Sequence, residues 1–474
     1  MIAPSTEADA ACLTAAGLPS DEASSGLKHI PDGSADFSAD RRRFSDYWAN
    51  SARLLARLPR KPYRRGREQE AADFLQDRAR AARVRFLRRH GDAVYDALTA
   101  ARSRFVRVEE LVIQAPALVP GLLPTAQDIA AEQGLLQRDK DGLEVDQGLF
   151  LSAILASPRS GRHLCQAMLL PREDAQALLP RFEREGVVEF DGASIRRLGK
   201  ATVVTQNNPR FLNAEDQTTL RGLEICVDLA LLDRRSEIVV MRGAPVHHPK
   251  HKGHRIFGAG INLTHLYHGR IPFVWYLERD LGYVNKIYRG LALPDEPPPD
   301  EFGGRTIEKP WIAAVETFAI GGHCQTVLVM DYVLAARDAY LSLPARKEGI
   351  IPGAANMRMP RLTGDRIARQ AIQYERRIDC DSAEGKLICD ETVEPDAMDA
   401  AIERVVAGLT TSGVISAVGN RRAMRVAQES FDVFRSYFAI YAREQAYCHF
   451  SPALIANLER YWNAQSRKPL MRPA

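Results

Sequence analysis

The sequence lacks the cysteine patterns that mark disulfide frameworks and zinc sites. It has seven cysteines in 474 residues, an odd number with no Cys-x-x-Cys pair, so we expect reduced thiols in a cytoplasmic protein. No apolar run approaches the roughly 20 residues of a membrane span. Residues 1–26 have neither a basic segment nor a continuous apolar core, which predicts no signal peptide. The cysteines are Cys12, Cys165, Cys226, Cys324, Cys380, Cys389 and Cys448.

The sequence also has little excess charge of either sign. Its 64 Lys and Arg against 60 Asp and Glu give a formal net charge of +4, which is no strong reason to expect a nucleic-acid partner. A modest positive field suits a small anionic ligand, such as one that carries phosphate, equally well. Because the chain is longer than one hydrophobic core usually fills, we expect two or three globular units.

Apolar spacing divides the N-terminal part of the chain in two. Residues 1–35 are rich in Ala, Ser, Asp and Gly with few large apolar residues, and we predict a mobile tail there. Residues 36–185 show apolar residues at helical spacing, as in Phe44, Trp48 and Leu55. This region is predicted to form a helical accessory domain.

Polar residues mark the expected helix ends and one charged face in the accessory domain. Asp36 and Ser38 are candidate caps, and residues 60–62 and 90–91 are predicted to separate helices. A run of arginines follows one helix, either as a nucleic-acid stripe or as a solvated or subunit-facing helix face, and we favour the second. These arginines are Arg78, Arg80, Arg83, Arg85, Arg88 and Arg89.

From residue 187 the pattern changes to short alternating or β-branched runs. Strands that alternate with helices across residues 186–393 predict an α/β fold of stacked ββα or βαβ units, with residues 294–301 (PDEPPPDE) as a surface loop. Residues 394–474 are predicted to form C-terminal helices. An aromatic stripe in that region suggests subunit or core packing rather than a ligand box. It contains Phe431, Phe434, Tyr437, Phe438 and Tyr441.

Two glycine-rich turns carry the chemical signal of the sequence. Residues 309–325 (KPWIAAVETFAIGGHCQ) predict a buried strand, a tight turn at a Gly pair and a helix. Residues 256–262 (IFGAGIN) predict a second turn of the same kind. Backbone amides at such turns can point at a developing negative charge, so the pair could form an oxyanion hole.

Four segments taken in order resemble the motifs of the crotonase superfamily of acyl-CoA enzymes. They are NNPRFLNAED, RIFGAGINLT, KPWIAAVETFAIGGHCQ and LPARKEGIIPGAANMRMPRLTG. The resemblance implies a crotonase-like CoA-thioester core over residues 186–393, and a homotrimer or hexamer formed through the C-terminal oligomerisation helices of residues 394–474. It also implies that the amides of Ile261 and Gly322 hold the thioester oxygen.

Two positions in this pattern narrow the implied reaction. Crotonase hydratases carry Glu where this chain has Gln325 and Ala345, so adding water across a double bond is disfavoured. In the long segment HHPKHKGHRIFGAGINLTHLYHG, the insertion after Gly290 and the helical N-terminal domain, the chain resembles metal-free oxygenases of the superfamily. The implied reaction is a cofactor-independent and metal-independent dioxygenation, which converts a dihydroxyphenylacetyl-CoA and O2 to an arylglyoxylate and free CoA.

The resemblance also assigns residues to the reacting region. Glu215 and Gln325 would contact the ring hydroxyls or the reacting carbon, and Arg279 would assist them. Each has a structural alternative: Glu215 as a helix cap, Arg279 as a surface ion pair and Gln325 as a satisfied core amide. A dry pocket for O2 is implied near Ile261, Leu263 and Ile320, while Cys324 is interpreted as packing.

The resemblance implies contacts to substrate or CoA at Pro209, along the histidine-rich loop before residue 256, and in the glycine turn of residues 256–262. A metal site at His247, His248, His251 and His254 is the competing interpretation, but the spacing fits no standard ligand motif and the intervening lysines repel a cation. We therefore predict no metal, and a loop near the CoA phosphates. The implied contacts are Pro209, His248, Lys250, His251, Ala259, Gly260 and Asn262.

Three hypotheses follow for the function. The first is the dioxygenase with an acyl-CoA and O2 as substrates, no cofactor, no nucleic acid and no membrane. The second is another crotonase reaction, such as isomerisation or thioester hydrolysis. The third is a non-catalytic CoA-binding assembly protein.

Overall fold

The computed structural model describes residues 7–26 and 29–467. The helices are α1 (Glu7–Ala15), α2 (Ser20–Gly26), α3 (Phe37–Leu55), α4 (Gly66–Leu98), α5 (Val108–Leu118), α6 (Ala126–Glu132), α7 (Val145–Ala156), α8 (Pro158–Leu169), α9 (Glu173–Glu185), α10 (Leu220–Leu232), α11 (Leu263–Tyr267), α12 (Val274–Leu281), α13 (Tyr283–Arg289), α14 (Gly322–Val327), α15 (Ala345–Glu348), α16 (Ala355–Tyr374), α17 (Met398–Thr410), α18 (Ile415–Gln428), α19 (Phe431–His449) and α20 (Pro452–Trp462). The strands are β1 (Val187–Glu189), β2 (Ala193–Leu198), β3 (Ala201–Gln206), β4 (Ile238–Gly243), β5 (Leu291–Ala292), β6 (Thr306–Ile307), β7 (Trp311–Val315), β8 (Phe318–Ile320), β9 (Tyr332–Ala336), β10 (Tyr340–Ser342), β11 (Ile378–Asp379) and β12 (Glu391–Val393).

A seven-stranded sheet forms the centre of the α/β region, with the strand order β1-β2-β3-β4-β7-β9-β12. The first three strands are antiparallel, and the strands from β3 to β12 are parallel. Every residue of β7 is buried, as expected for a parallel strand covered on both faces. Helix α10 packs on β2 and β3, and α17 packs on β4 and β9. The α/β fold predicted from the alternating pattern is confirmed.

A second, three-stranded sheet positions the glycine-rich turns. Its order is β11-β10-β8, with β8 parallel to β10 and β11 antiparallel to it. Strand β8 leads directly into α14, so the strand, turn and helix predicted for residues 309–325 are present. Helix α14 ends at Val327, and β9 begins at Tyr332, so residues 328–331 connect the helix to the central sheet.

The N-terminal residues differ from the predicted mobile tail. Residues 7–26 form α1 and α2, and Leu13, Leu18 and Ala23 are buried. They pack against apolar side chains of α3 and α4, including Leu54. The apolar residues of this segment looked too few to form a core, but they join a core that α3 and α4 already form. Residues 1–6 and 27–28 of the predicted tail lie outside the described residues.

The helices of the accessory region follow the sequence prediction except at one break. Asp36 caps α3 by accepting from the Ala39 amide. Residues 90–91 do not separate two helices, since α4 continues to Leu98. His90 is hydrogen-bonded to Asp40 of α3 at 2.8 Å, so tertiary contact holds the helix together where the sequence suggested a stop.

Several arginines of the predicted stripe bind the protein's own backbone. Arg83 donates to the carbonyls of Gly121 and Leu122, and Arg80 donates to the carbonyl of Gly142. Arg85 donates to the carbonyl of Ile30. For these three residues the side chains join helices to loops rather than forming a solvated face or a nucleic-acid stripe.

The C-terminal helices pack across the molecule. Helix α19 lies against α7 and α8 of the accessory region, and its aromatic stripe is largely buried. Within the described ranges, no single helix is long and apolar enough to cross a membrane; one pair, residues 395–410 and 415–428, bent by 91°, passes the length and composition test jointly.

Candidate active site

The two glycine-rich turns lie in contact. The amide of Ile320 donates to the Gly258 carbonyl at 2.9 Å, which attaches the first turn to β8. Gly260 has a φ of +80°, and a Cβ there would lie 2.9 Å from the Ile320 carbonyl oxygen and 3.3 Å from the Gly322 nitrogen. Only glycine fits both this backbone conformation and this approach.

Two adjacent amides remain as donors where the turns meet. The amide of Glu215 donates to the Gly260 carbonyl at 2.7 Å, and the amide of Gly321 donates to the Ser342 carbonyl at 2.9 Å. In the part of the chain that the structure describes, the amides of Ile261 and Gly322 have no hydrogen-bond partner. Two such donors can stabilise an oxyanion that forms between them.

Arg279 donates hydrogen bonds to several groups next to these amides. Its Nε donates to Oε2 of Glu215 at 2.9 Å, and its Nη1 donates to Oε1 of Gln325 at 3.1 Å. Its Nη2 donates to the Gly322 carbonyl at 2.6 Å and to the Thr326 hydroxyl at 3.2 Å. One buried guanidinium therefore fixes a carboxylate, an amide and the turn at Gly322 together.

The surroundings of Arg279 complete a buried charge cluster. Asp280 accepts from Nη1 at 2.6 Å, and the Tyr283 hydroxyl donates to Oε1 of Glu215. Burial alone would raise the pKa of Glu215, but Arg279, His323 and the hydroxyl of Tyr283 outweigh it and lower that pKa. Burial raises the pKa of Asp280 despite the opposing effect of Arg279. Glu215 is therefore held as a carboxylate.

The structural alternatives for Glu215, Arg279 and Gln325 can be compared with the contacts of these side chains. Glu215 and Arg279 are both 3% exposed and paired with each other, so neither a helix cap nor a surface ion pair describes them. Gln325 has its Oε1 fixed by Arg279, and its Nε2 has no partner among the described residues. That amide nitrogen remains a donor beside the cavity that Gln325 lines.

His323 is a residue of this site that the sequence reasoning missed. Its Nδ1 accepts from the Gly260 amide at 2.9 Å, and its ring is fully buried. Burial lowers the pKa of His323 to about 4, so the imidazole is neutral. This neutral acceptor fixes the Gly260 amide, which is next to Ile261 in the chain, and so helps to orient the turn that carries the Ile261 amide. A histidine directly after the Gly pair was the available signal.

We expect the stability of the His323→Phe variant to depend less on pH than that of the wild type, because the variant lacks the buried imidazole. The unfolded histidine takes up a proton near its ordinary pKa of 6.5 and the folded one only near 4, so its stability contribution is complete above pH 6.5 and lost between these values. From about pH 7 to about pH 5, the free energy of unfolding of the wild type should fall by about 2 kcal/mol more than that of the variant.

Urea unfolding at the two pH values measures this difference. His247→Phe, on an exposed loop, is the matched control and should keep the wild-type pH dependence. Equal pH dependence in the wild type and the His323 variant would contradict a neutral buried imidazole.

Two cavities lie beside the free amides: Ile261 lines both of them, and Gly322 lines only the narrow one. The narrow cavity, with a volume of about 30 Å³, is lined by the cluster around Arg279 and by Gly322. The wide cavity, of about 480 Å³, opens on the other side of Ile261. Ile261 and Glu348 line both cavities, so these two residues mark the junction.

The predicted substrate and CoA residues divide between the wide cavity and its surroundings. His248, Ala259 and Asn262 line it, as do Leu263 and Ile320 of the predicted O2 pocket. The remaining predicted contacts are not among the residues that line this cavity. These are Pro209, Lys250, His251 and Gly260.

Two further predicted roles are affected by local contacts. The Asn262 side chain donates to Asp216 at 2.9 Å and accepts from the His265 amide, so both its polar groups are already used. Cys324 is fully buried, and burial raises the pKa of its thiol to about 12, which suits packing. The sequence reasoning missed the basic residues on the wide cavity, which are Arg210, Lys347, Arg377 and Arg467.

The histidine loop shows no metal-binding geometry. Across residues 7–26 and 29–467, no group of three or more His, Cys, Asp or Glu side chains is arranged to hold a metal ion. The ring centroids of His248 and His251 are 5.9 Å apart, and His251 packs edge-on against Phe318.

Known proteins resemble this chain along most of its length. It is 45% identical over 394 residues to (3,5-dihydroxyphenyl)acetyl-CoA 1,2-dioxygenase of Amycolatopsis orientalis, covering 83% of this chain and 89% of that protein. Residues 304–430 match the enoyl-CoA hydratase/isomerase family model. The chain belongs to the crotonase superfamily. The crotonase resemblance stated from the four motifs is thus confirmed.

More distant relatives match a smaller share of this chain. The short-chain-enoyl-CoA hydratase of Clostridium acetobutylicum is 29% identical over 214 residues, covering 44% of this chain and 72% of that protein. A solved enoyl-CoA hydratase/isomerase from Xanthobacter autotrophicus Py2 is 22% identical with a TM-score of 0.47, covering 59% of this chain and 96% of that one. At the crotonase hydratase positions, Gln325 and Ala345 both line the narrow cavity of this chain.

Proposed function

We propose that this crotonase is a dioxygenase that converts (3,5-dihydroxyphenyl)acetyl-CoA and O2 to 3,5-dihydroxyphenylglyoxylate and free CoA. The 45% identity with a dioxygenase of that substrate, over 83% of the chain, is the observation that carries the proposal. The site supports it, because two free amides border a cavity in which Gln325 and Ala345 replace the carboxylates of a hydratase.

The chemistry follows from the oxyanion donors. Amides of Ile261 and Gly322 that hold the thioester oxygen lower the cost of removing an α-proton, with one donor contributing on the order of 10² to 10³ in rate. The enolate gives an electron to O2, and the resulting radicals join to form a peroxide at the α-carbon. The terminal peroxide oxygen attacks the thioester carbonyl and the C–S bond breaks. Cleavage of the O–O bond with loss of the second α-proton leaves the glyoxylate.

In this proposal the cluster around Arg279 binds and orients the substrate. Glu215 and the Gln325 amide contact the ring hydroxyls or the reacting carbon, and Arg279 fixes both side chains against the oxyanion turn. Because the narrow cavity has a volume of only about 30 Å³, an aryl ring must displace side chains of its wall.

The wide cavity is the proposed place for the CoA portion and for O2. Its wall combines basic side chains such as Arg377 and Arg467 with the apolar Leu263 and Ile320. Phosphates of CoA fit the former, and O2 fits the apolar end near Ile261. Electron transfer from an electron-rich carbanion requires no metal or flavin, so we propose that the reaction uses no cofactor.

We also propose a homotrimer or hexamer in the cytoplasm. Exposed apolar side chains on the C-terminal helices, such as Ile415 and Met424 on α18 and Ile440 on α19, provide surface for subunit contacts. The seven cysteines are free, which fits a reducing compartment.

Oxygen uptake coupled to CoA release tests the proposal. We expect (3,5-dihydroxyphenyl)acetyl-CoA to consume one O2 for each free thiol released, and exhaustive chelation of metals to leave the rate unchanged. Incubation without O2 should release no thiol. Thiol release without O2 would instead show a thioester hydrolase, and no oxygen uptake with this substrate would overturn the proposal.

A further inference from the structure

The narrow cavity has three carboxyl groups on its wall, and their surroundings differ. They belong to Glu215, Asp280 and Glu348. Both oxygens of Glu215 are occupied, by Arg279 and by Tyr283, and Asp280 is paired with Arg279 at 2.6 Å. Within the described residues, the carboxylate oxygens of Glu348 have neither a hydrogen-bond nor an ion-pair partner.

Glu348 also has a special place in the fold. It is the last residue of α15, the short helix that follows Pro344, and the next residue, Gly349, is left-handed with a φ of +83°. Among the described residues, Glu348 and Ile261 are the two that line both cavities. A thioester whose oxygen lies between the amides of Ile261 and Gly322 would therefore have its α-carbon in the cavity that Glu348 borders.

We infer that Glu348 is the base that removes the α-proton. This inference rests on the proposed function, because it names the residue that generates the enolate. The α C–H bond breaks, the proton joins a carboxylate oxygen of Glu348, and the electron pair passes into the enolate. The negative charge moves to the thioester oxygen, where the two amides hold it.

The surroundings of Glu348 suit proton transfer near neutral pH. The ionisable groups around Glu348 are Glu375, just after α16, and the Tyr276 phenol on α12. Lys347, which precedes Glu348 in the chain, pairs with Glu375 at 3.6 Å. Burial, with a smaller effect of the Glu375 charge, raises the pKa of Glu348 to about 7. A base is most effective when its pKa lies close to the working pH.

Deuterium exchange without O2 isolates this step from the chemistry that follows. The full-length protein is incubated anaerobically in D2O with (3,5-dihydroxyphenyl)acetyl-CoA, and α-deuterium is measured by mass spectrometry. Glu348→Gln keeps the shape of the side chain but cannot take the proton, and we expect exchange to fall by about 10² to 10⁴. Asp280→Asn tests the neighbouring carboxyl and should keep more exchange than Glu348→Gln.

A second variant gives a readout that a merely structural role would not move. Glu375→Gln removes the smaller, electrostatic contribution to the raised pKa of Glu348 and frees Lys347, while burial still keeps that pKa raised. The acidic limb of the exchange rate should therefore shift to lower pH while the maximal rate is kept. The assignment is overturned if Glu348→Gln loses less than about tenfold in exchange, or if the limb stays in place in Glu375→Gln.

The wild type separates this inference from the proposed function. Exchange without oxygen uptake in air would remove the dioxygenase proposal and leave the base assignment. Oxygen uptake by the wild type, together with normal exchange in Glu348→Gln, would remove the assignment alone.

Discussion

Replacing Gly322 by alanine is expected to lower the rate of α-proton exchange by about 10² to 10³, the usual effect of losing one oxyanion donor. A Cβ at this position would lie 2.4 Å from Oε2 of Glu215 and 3.0 Å from Nη2 of Arg279. Both side chains are buried and paired, so they cannot move aside without breaking their own contacts. The turn must shift instead, and the Gly322 amide turns away from the thioester oxygen.

A second glycine provides the control for this variant. Gly408 lies inside α17, and a Cβ there meets no atom within 4 Å. Gly408→Ala should keep the exchange rate and stabilise the helix by about 0.5 to 1 kcal/mol. Urea unfolding of both variants shows whether Gly322→Ala is folded. A folded Gly322→Ala with nearly the wild-type exchange rate would mean that this amide is not an oxyanion donor.

Replacing Arg279 by methionine should lower the free energy of unfolding by about 3 to 5 kcal/mol, as expected when one partner of a buried ion pair is removed. Arg279 is 3% exposed and faces both Glu215 and Asp280, which are equally buried. Without the guanidinium these carboxylates keep the cost of burial and lose their partner. The Gly322 carbonyl also loses a donor, so activity should fall with stability.

The pH dependence of this loss has a definite sign. In the wild type the pKa of Glu215 is lowered, so its pairing stabilises the fold above the ordinary pKa of 4.5 and is lost as the pH falls. In Arg279→Met, burial raises that pKa, and stability falls as the pH rises. The gap between the two proteins should therefore be larger at about pH 8 than at about pH 5.

Two further variants check the cause of the loss. Arg279→Met with Glu215→Gln should regain part of the lost stability, because one unpaired charge is gone. Arg337→Met removes an exposed arginine paired with Asp381 and Glu394, and should leave the urea midpoint unchanged. A gap that is independent of pH, with no recovery in the double variant, would contradict the charge explanation.

Short stretches of sequence were sufficient for the parts of the site that are local in the chain. The apolar run before the Gly pair predicted a strand, a turn and a helix, and β7, β8 and α14 follow that order. The same local reading missed α1 and α2. Their few apolar residues look insufficient alone and become a core only against α3 and α4.

Sequence could not determine which side chains meet. Glu215 and Arg279 are 64 positions apart, and Arg279 and Gln325 are 46 apart, so no local pattern shows that they form one cluster. The part played by His323 depends on the approach of the Gly260 amide from another segment. The partnerless carboxyl of Glu348 depends likewise on what the rest of the fold leaves unpaired.

The sequence by itself determined the crotonase motifs, the α/β alternation and the replacement of the hydratase carboxylates by Gln325 and Ala345. These features depend on residue type and spacing, which can be seen in the sequence without the fold. Only the tertiary structure decided that two glycine turns touch, that Arg279 fixes the site from behind and that Glu348 stands at the junction of two cavities. Burial and pairing arise when distant segments pack, and they set the charge and the reach of each group.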